Sequence, residues 1–388
     1  MRIVHIITRL IIGGAQENTI LSCEGLHEKG HDVTLITGPT TGPEGSLVDR
    51  ARAGGYAYVE ADRLLRAVRP FDDWRATRQL QALIASLRPD VVHTHSSKAG
   101  ILGRIAAARA GAAIIVHTVH GMSFNRTQGA TTRRIYAAAE RFCARRTHAI
   151  VCVADAMRDQ MLAANIGRPD QYTTIRSGME TSAFDPARHD AAAVRAGWNA
   201  PPDAVVVGAV ARLFRNKGYE QLIEIMDRAA RAEPRLRFVW IGDGAQRAEY
   251  EAELSRRNLR DRTTITGLVP PSEIPRLLSG IDILAHASQW EGLPRAVVQS
   301  LLMEKPAVSF AIDGAPEVVI PNETGSLAPL NDVAAFAAAL TTLAADPAMR
   351  ERLGRNGRRR CLVEFSRETM TNQLDALYQR LQHDAPTN

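Results

Sequence analysis

Short β-branched apolar runs alternate with longer amphipathic stretches along the whole chain. The runs at 2–8, 32–37, 56–60, 90–95, 113–119, 149–154 and 172–176 are rich in β-branched and apolar residues without strict alternation, a pattern that predicts strands covered on both faces. Amphipathic stretches at 15–29, 73–87, 98–110 and 131–146 predict the intervening helices. A polar stretch, 184–203, interrupts this rhythm. It then restarts with strands at 204–210, 237–242, 263–267, 282–287, 306–310 and 324–329. A βαβα alternation folds as a parallel sheet with helices on both faces. The expected class is therefore α/β, with two doubly wound Rossmann-like domains, 1–184 and 204–366, whose strand ends face across a cleft. An amphipathic helix at 367–382 closes the segment 367–388, which is expected to cross back to the first domain. Ligands on such sheets bind beyond the C-terminal ends of the strands, so the loops after strands are where chemistry is expected.

Composition agrees with two domains. A chain of 388 residues exceeds one ordinary core, and 45% hydrophobic with 23% charged residues is soluble globular material. No uncharged apolar run reaches the roughly 18 residues of a membrane span. The opening MRIVHIITRLIIGG carries an arginine within its apolar stretch and no small-residue cleavage pattern, so it is expected to be a first strand and not a signal peptide. Cys23, Cys143, Cys152 and Cys361 form no CxxC pair, which argues against structural zinc and disulfides and fits a cytoplasmic setting. The net charge of +6 is uneven: residues 1–184 carry 23 basic and 16 acidic side chains, the rest 25 and 26. The arginines are scattered through Ala-rich helices without an aromatic stacking series, so nucleic acid is not the expected partner. An anionic membrane surface or a phosphate-bearing substrate fits that charge.

Several loops after strands carry candidate chemistry. Gly13-Gly14 occupies the turn into the first helix, where it either makes a tight turn or lets backbone amides approach an anion. Arg212 and Lys217 follow the first strand of the second half, as solvated loop charges or as a pair that neutralises a diphosphate. His120 lies at the end of strand 113–119, and His95 with Lys98 lies at a strand-to-helix junction where Ser96 or Ser97 can cap the helix. In WEGLPRAVVQ, Glu291 precedes a helix expected over 294–304, with Pro294 at its first position and the amides of Arg295 and Ala296 facing out of its N-terminus. Gln299 lies about 1.5 turns into that helix.

Gly13-Gly14, HTHSSKAG, TVHG, VARLFRNKG, WIGDG, GLVPPSEI and SQWEGLPRAVVQSLLMEKPAVSF occur in the order and spacing of one family. The chain resembles the retaining family-4 glycosyltransferases of the GT-B fold over nearly its whole length. That resemblance implies that Arg212 and Lys217 neutralise the donor diphosphate, that Glu291 holds sugar hydroxyls, and that His120 contacts the donor sugar near the reacting carbon. It implies that Gly13 and Gly14 close over the phosphates, that Gly242, Asp243 and Val269 border the base, and that Gly292, Leu293, Arg295, Ala296 and Gln299 complete the donor site. The donor implied is a UDP- or GDP-linked sugar used as substrate, with no cofactor. No Asp-x-Asp pair occurs in the sequence, so no metal ion is expected. Front-face attack is implied, with the donor's own phosphate oxygen taking the acceptor proton.

The sequence departs from the family pattern at two positions. Gln299 stands where the family has a second Glu, keeping a hydrogen-bond acceptor without the charge. Pro294 stands where Gly is frequent. The implied acceptor is a glycan or a lipid-linked sugar, with His95 and Lys98 on its side. Arg126, Arg133, Arg134, Arg141, Arg145 and Arg146, with Phe124, Tyr136 and Phe142, are the expected contact with an anionic membrane, which would make the protein peripheral on the inner face of the cytoplasmic membrane. The rival readings are a GT-B epimerase or hydrolase of UDP-sugars and a catalytically silent sugar-nucleotide binder.

Overall fold

A computed structural model describes residues 1–42, 44–124 and 128–384. The chain divides into two compact units, Met1–Met179 joined by the chain from Ser366 on, and Glu180–Phe365.

The first unit is built on seven parallel strands: β1 (Arg2–Ile7), β2 (Asp32–Thr37), β3 (Ala57–Glu60), β4 (Val91–His95), β5 (Ile114–Val119), β6 (Ala149–Cys152) and β7 (Tyr172–Thr174). Their order is β3-β2-β1-β4-β5-β6-β7, so the direction of winding reverses between β1 and β4, with His5 paired to His93. The helices are α1 (Gly14–Glu28), α2 (Val48–Ala53), α3 (Pro70–Leu87), α4 (Ser97–Arg109), α5 (Ala130–Ala144) and α6 (Asp155–Ala163). Alternate residues of the central strands β1, β2, β4 and β5 feed two separate cores. Ile3, Ile7, Val91 and Val116 pack with Ile20 and Leu21 of α1, whereas Val4, Ile6, Val92 and Ile115 pack with Leu80 and Ile84 of α3 and Ala106 of α4. This two-sided burial explains why these strands read as apolar runs without strict alternation.

The second unit carries α7 (Ala191–Gly197), then β8 (Val205–Val210), α8 (Tyr219–Ala232), β9 (Leu236–Ile241), α9 (Arg247–Arg256), β10 (Thr263–Ile265), α10 (Ile274–Ser279), β11 (Ile283–His286), α11 (Arg295–Leu302), β12 (Ala307–Phe310), β13 (Gly325–Ala328), α12 (Val333–Ala345) and α13 (Pro347–Glu364). Its six strands run in the order β10-β9-β8-β11-β12-β13, and winding reverses between β8 and β11. The polar stretch that interrupts the rhythm between the two expected domains is folded onto this unit over 185–203. Asp190 caps α7 by accepting from Ala193 N at 3.0 Å, and Arg195 of α7 reaches Asp282 at 2.5 Å, just ahead of β11. Its polar composition reflects caps and a charge pair, not a free connector.

The chain returns to the first unit through α14 (Arg367–Asp384). Arg367 N donates to Met179 O at 2.9 Å, and its guanidinium grips Glu28 through two bonds of 3.1 and 3.0 Å. Met370, Leu374, Leu377 and Tyr378 then complete the core on the α1 side of the sheet. Gly25 of α1 faces Thr371, and a Cβ there would collide with the threonine side chain, so a bare glycine lets the two helices close together. Truncating Leu374 to Ala is expected to lower the stability of the first unit by about 2–5 kcal/mol. An unchanged urea midpoint for that variant would show that α14 is not part of this core.

Candidate active site

In the second unit, the loops after β8 and β11 meet where the winding reverses. Gly218 ends the first loop at φ +71°, and a Cβ there would run into the Ala287 carbonyl. Only glycine combines that left-handed conformation with so close an approach. Gln289 N donates to Asn216 O at 3.0 Å, tying the two loops together.

This contact places Lys217 Nζ 2.5 Å from Glu291 Oε1, although the residues lie 74 positions apart. Ser288 Oγ donates to the same oxygen at 2.9 Å, and His286 Nε2 lies 3.4 Å from it. All three groups converge on Oε1 and none of these bonds uses Oε2. The loop after β12 fixes the backbone: Glu291 N donates to Asp313 Oδ2 at 2.8 Å, and Gly314 N donates to Gly292 O at 3.1 Å. Burial by itself would raise the Glu291 carboxyl, but the Lys217 ammonium and then His286 outweigh it and hold its pKa well below the usual carboxylate range. The group is therefore a fixed anion at neutral pH.

Pro294 is not the first helical residue. It caps α11 with φ −75° and ψ 87°, and its carbonyl accepts from Val297 N at 3.0 Å and Val298 N at 3.3 Å, so the helix starts at Arg295 and ends at Leu302. Pro294 offers no side-chain cap bond, and the first-turn amides of Arg295 and Ala296 lie at the positive end of the helix dipole. Leu293 is buried beneath the turn. Gln299 is half-buried on α11, and the Glu291 carboxylate is held by Lys217, Ser288 and His286 without it.

Arg212 is exposed on the β8 loop, with its guanidinium carbon 4.9 Å from the Phe214 ring centre. Gly242, at φ +145°, lies against the Ala211 carbonyl and bridges to Gly267. Asp243 accepts from Gly244 N at 2.8 Å and pairs with Arg247 at 3.0 Å, so it stiffens this turn. Val269, half-buried beside the exposed Leu268, follows β10.

In the first unit, Gly13 precedes α1 at φ −179°, an extended conformation open to any residue, and a Cβ there would meet only the end of the Gln16 side chain. Neither a tight turn nor crowding demands this glycine. Gly14 opens α1, whose N-terminus has no side-chain cap. Neither Ser96 nor Ser97 caps α4 as expected. Ser96, at φ 63°, bonds Thr8 Oγ1 at 2.8 Å, and that hydroxyl accepts from Ala99 N at 3.1 Å. Lys98 is committed to Asp73 at 2.6 Å and to the Ala67 carbonyl, which turns it toward α3.

His95 is buried and bonds His120 Nε2 through its Nδ1 at 3.0 Å. His120 lines a cavity of about 250 Å³ with Ser96, His117, Ser123, Glu140 and Met161. Glu140 is almost fully buried, pairs with Arg104 at 2.6 Å and accepts from Ser123 Oγ at 3.3 Å. Among the expected membrane residues, Arg126 lies outside the described residues. Arg133, Arg134 and Arg145 are exposed on or just after α5. Arg141 donates to the Ala164 carbonyl at 2.8 Å, and Arg146 lies 3.9 Å over the Phe142 ring.

Sequence reasoning missed His286, Ser288 and Asp313 around Glu291, and His5 and Glu140 in the first unit. His286 carried the same signal as His120, a histidine closing an apolar strand. Glu140 was visible only as a lone acid within a basic helix.

Two family models match the chain in succession: "Glycosyl transferase 4-like domain" over residues 13–178 and "Glycosyl transferases group 1" over 190–360. The chain is 27% identical over 387 residues to the UDP-Gal:alpha-D-GlcNAc-diphosphoundecaprenol alpha-1,3-galactosyltransferase of Escherichia coli, covering 97% of this chain and 96% of the relative. It is 22% identical over 320 residues to the capsular polysaccharide biosynthesis glycosyltransferase CapM of Staphylococcus aureus, covering 81% and 82%. The crystal structure of Anabaena HepE with UDP and glucose matches with a TM-score of 0.84 at 18% identity, covering 98% of this chain and all of that one.

The Glu291 environment makes a measurable claim about acid stability. Its carboxyl is lowered in the fold, so its stabilising share is fully present above the unfolded value of about 4.3 and is lost as pH falls toward the lowered folded value. Glu291→Gln is expected to flatten the fall of unfolding free energy below about pH 4.3, as measured by urea titration at stepped pH. An identical acid limb in the variant would contradict the burial and pairing described.

Proposed function

Because this chain belongs to the family-4 glycosyltransferases of the GT-B fold, and so moves a glycosyl unit from a nucleotide-sugar donor, we propose that it transfers a hexose from a UDP-linked donor to a lipid-linked sugar with retention of configuration. The observation that carries this reading is the Lys217–Glu291 cluster beside the start of α11. Glu291 accepts a hydroxyl of the donor sugar through Oε2, since its other oxygen is already engaged. The Arg295 and Ala296 amides, with Lys217 and Arg212, face the diphosphate, where fixed donors stabilise the charge that develops as it departs. Gln299 accepts from a ribose hydroxyl through its amide carbonyl. The bond from the anomeric carbon to the phosphate oxygen breaks, and the acceptor hydroxyl forms its bond on the same face. Its proton passes to the departing phosphate oxygen, so the chain supplies positioning and charge, with no metal or cofactor.

The acceptor sugar is assigned to the first unit's cavity, where the buried Glu140 carboxylate, Ser123 and Ser96 offer polar contacts beside His120. A lipid-linked acceptor agrees with the surface nearby. Among the described residues no helix is long and apolar enough to cross a membrane. Yet Val68, Phe71 and Trp74 are 70%, 62% and 52% exposed. Phe71 and Trp74 stack at 6.2 Å, with Arg75 and Arg78 over their rings at 4.2 and 5.7 Å. This aromatic and basic stripe lies on the side of α3 opposite its buried residues Ala76, Thr77, Leu80 and Ile84. Ile135 and Phe142, seven positions apart on α5, are exposed as well, at 63% and 45%. Aromatic rings flanked by arginine suit the headgroup layer of an anionic bilayer, and we assign both faces to peripheral contact with it.

The test supplies UDP-hexose and a polyprenyl-diphosphate-linked amino sugar in anionic vesicles. The expected product is a lipid-linked disaccharide with the donor's anomeric configuration. Phe71→Ser with Trp74→Ser is expected to raise KM for the vesicle-borne acceptor by at least about tenfold, from the aromatic area withdrawn from the membrane. Turnover of a short-chain, detergent-soluble acceptor should be unchanged in that variant. Formation only of free sugar or of an isomerised donor would reject the transfer reading, and an unaltered KM would reject the membrane faces.

A further inference from the structure

A row of buried imidazoles runs inward from the first unit's cavity. His120 Nε2 lies 3.0 Å from His95 Nδ1, and His95 Nε2 lies 2.8 Å from His5 Nδ1. The row ends at His5 Nε2, which is buried and has no hydrogen-bond partner. We propose that His5 and His95 are positioning residues that hold His120 as the neutral tautomer with its proton on Nδ1, so that His120 meets a sugar as a hydrogen-bond donor and not as a base.

Burial pushes His5 down to about 3 and His95 well below the ordinary histidine value, so each of these rings carries a single proton at neutral pH. Each link needs one N–H and one lone pair, and the row can therefore point in only two directions. If it pointed inward, from His120 to His95 to His5, the last proton would sit on His5 Nε2. That would leave an N–H buried without an acceptor, the rarer and costlier kind of orphan. Pointing outward, His5 Nδ1–H donates to His95 Nε2 and His95 Nδ1–H donates to His120 Nε2. The dead end then holds only a lone pair. His120 Nε2 becomes an acceptor, and the ring's own proton is placed on Nδ1.

The same atoms exclude the other reading of this cluster. His5, His93 and His95 lie close enough together to be considered for a metal ion. His93 Nδ1, however, bonds the Tyr378 hydroxyl at 2.5 Å and His93 Nε2 bonds Thr118 Oγ1 at 2.7 Å. With both His95 nitrogens and His5 Nδ1 engaged in the row, His5 Nε2 alone is uncommitted, and a metal would have to break existing bonds to gain three ligands. A fixed donor at His120 also suits the proposed transfer, in which the departing phosphate takes the acceptor proton and no side-chain base is required.

The kinetic arm of the test rests on the proposed glycosyl transfer. The tautomer arm needs no substrate, so the two can fail separately. Long-range proton–nitrogen correlation spectra of protein carrying 15N-histidine distinguish the two tautomers, and the His120 ring is identified by its loss in His120→Gln. The expected wild-type pattern at neutral pH is Nδ1–H. An Nε2–H or averaged pattern would overturn the proposal. So would stoichiometric Zn2+ that shifts the His5, His93 and His95 rings together. His95→Leu should lose the pattern and lower kcat about tenfold, with donor KM within about twofold, as expected for a misplaced positioning contact. His95→Asn, whose amide N–H lies near the place of Nδ1, should keep the pattern and most of kcat. Equal losses in both variants would mean a purely structural role.

Discussion

A carboxylate held at the ends of buried strands must be given positive partners, and much of the second unit's geometry follows from that one requirement. Glu291 is held by Lys217, Ser288 and His286 through one oxygen. Removing a partner from such a pair leaves an uncompensated buried charge, at a cost of about 3–5 kcal/mol when burial is complete. The loops that deliver these groups are tied to one another by close contacts and backbone hydrogen bonds. Gly218 lets the β8 loop lie on the Ala287 carbonyl, and Asp313 and Gly314 fix the Glu291 backbone from the far side. The result is an arrangement that gathers one carboxylate oxygen, an ammonium group and the amides of a helix N-terminus at the ends of β8 and β11. Preorganisation of this kind spares a charged site the reorganisation that water would demand.

The first unit solves a related problem with neutral groups. His5, His93 and His95 lie at the point where its sheet reverses winding, against a mainly apolar core. Buried polar rings persist there because nearly every nitrogen is paired, and Tyr378 of the returning helix α14 supplies one of the partners. The C-terminal crossover therefore does more than add apolar area. It also completes the hydrogen bonding beneath the cavity, joining the stability of this unit to the state of its candidate site.

How much of this was legible in the sequence follows from what each signal reports. Runs rich in apolar and β-branched residues located the thirteen strands of the described residues, most clearly the central ones, because a parallel sheet buries both faces there. The last helix stood out as an amphipathic stretch with no strand after it. What the sequence could not supply was which loops touch. Lys217 and Glu291 were candidates for separate reasons, and only the strand order β8-β11 makes them neighbours. Asp313 carried no motif, and His286 only the signal of a histidine closing an apolar strand, so both gain their meaning from that contact. Polar residues near helix starts misled in two places: Thr8, from a distant loop, does the work expected of a cap at Ser96 or Ser97, and Pro294 is a cap and not a first helical residue. Lys98 read as an available cation, yet its side chain is folded onto Asp73. Periodicity reports burial, whereas partners separated by tens of residues are a property of topology.

The central claim is that Lys217 and Glu291 act on the donor as one unit, and a double-mutant cycle on kcat/KM for the nucleotide-sugar measures it directly. Lys217→Met and Glu291→Gln should each lower kcat/KM by about a hundredfold, with the double variant no worse than the poorer single one, because groups that act together are strongly non-additive. Effects that multiply in the double variant would show that the two side chains work independently and would contradict the account.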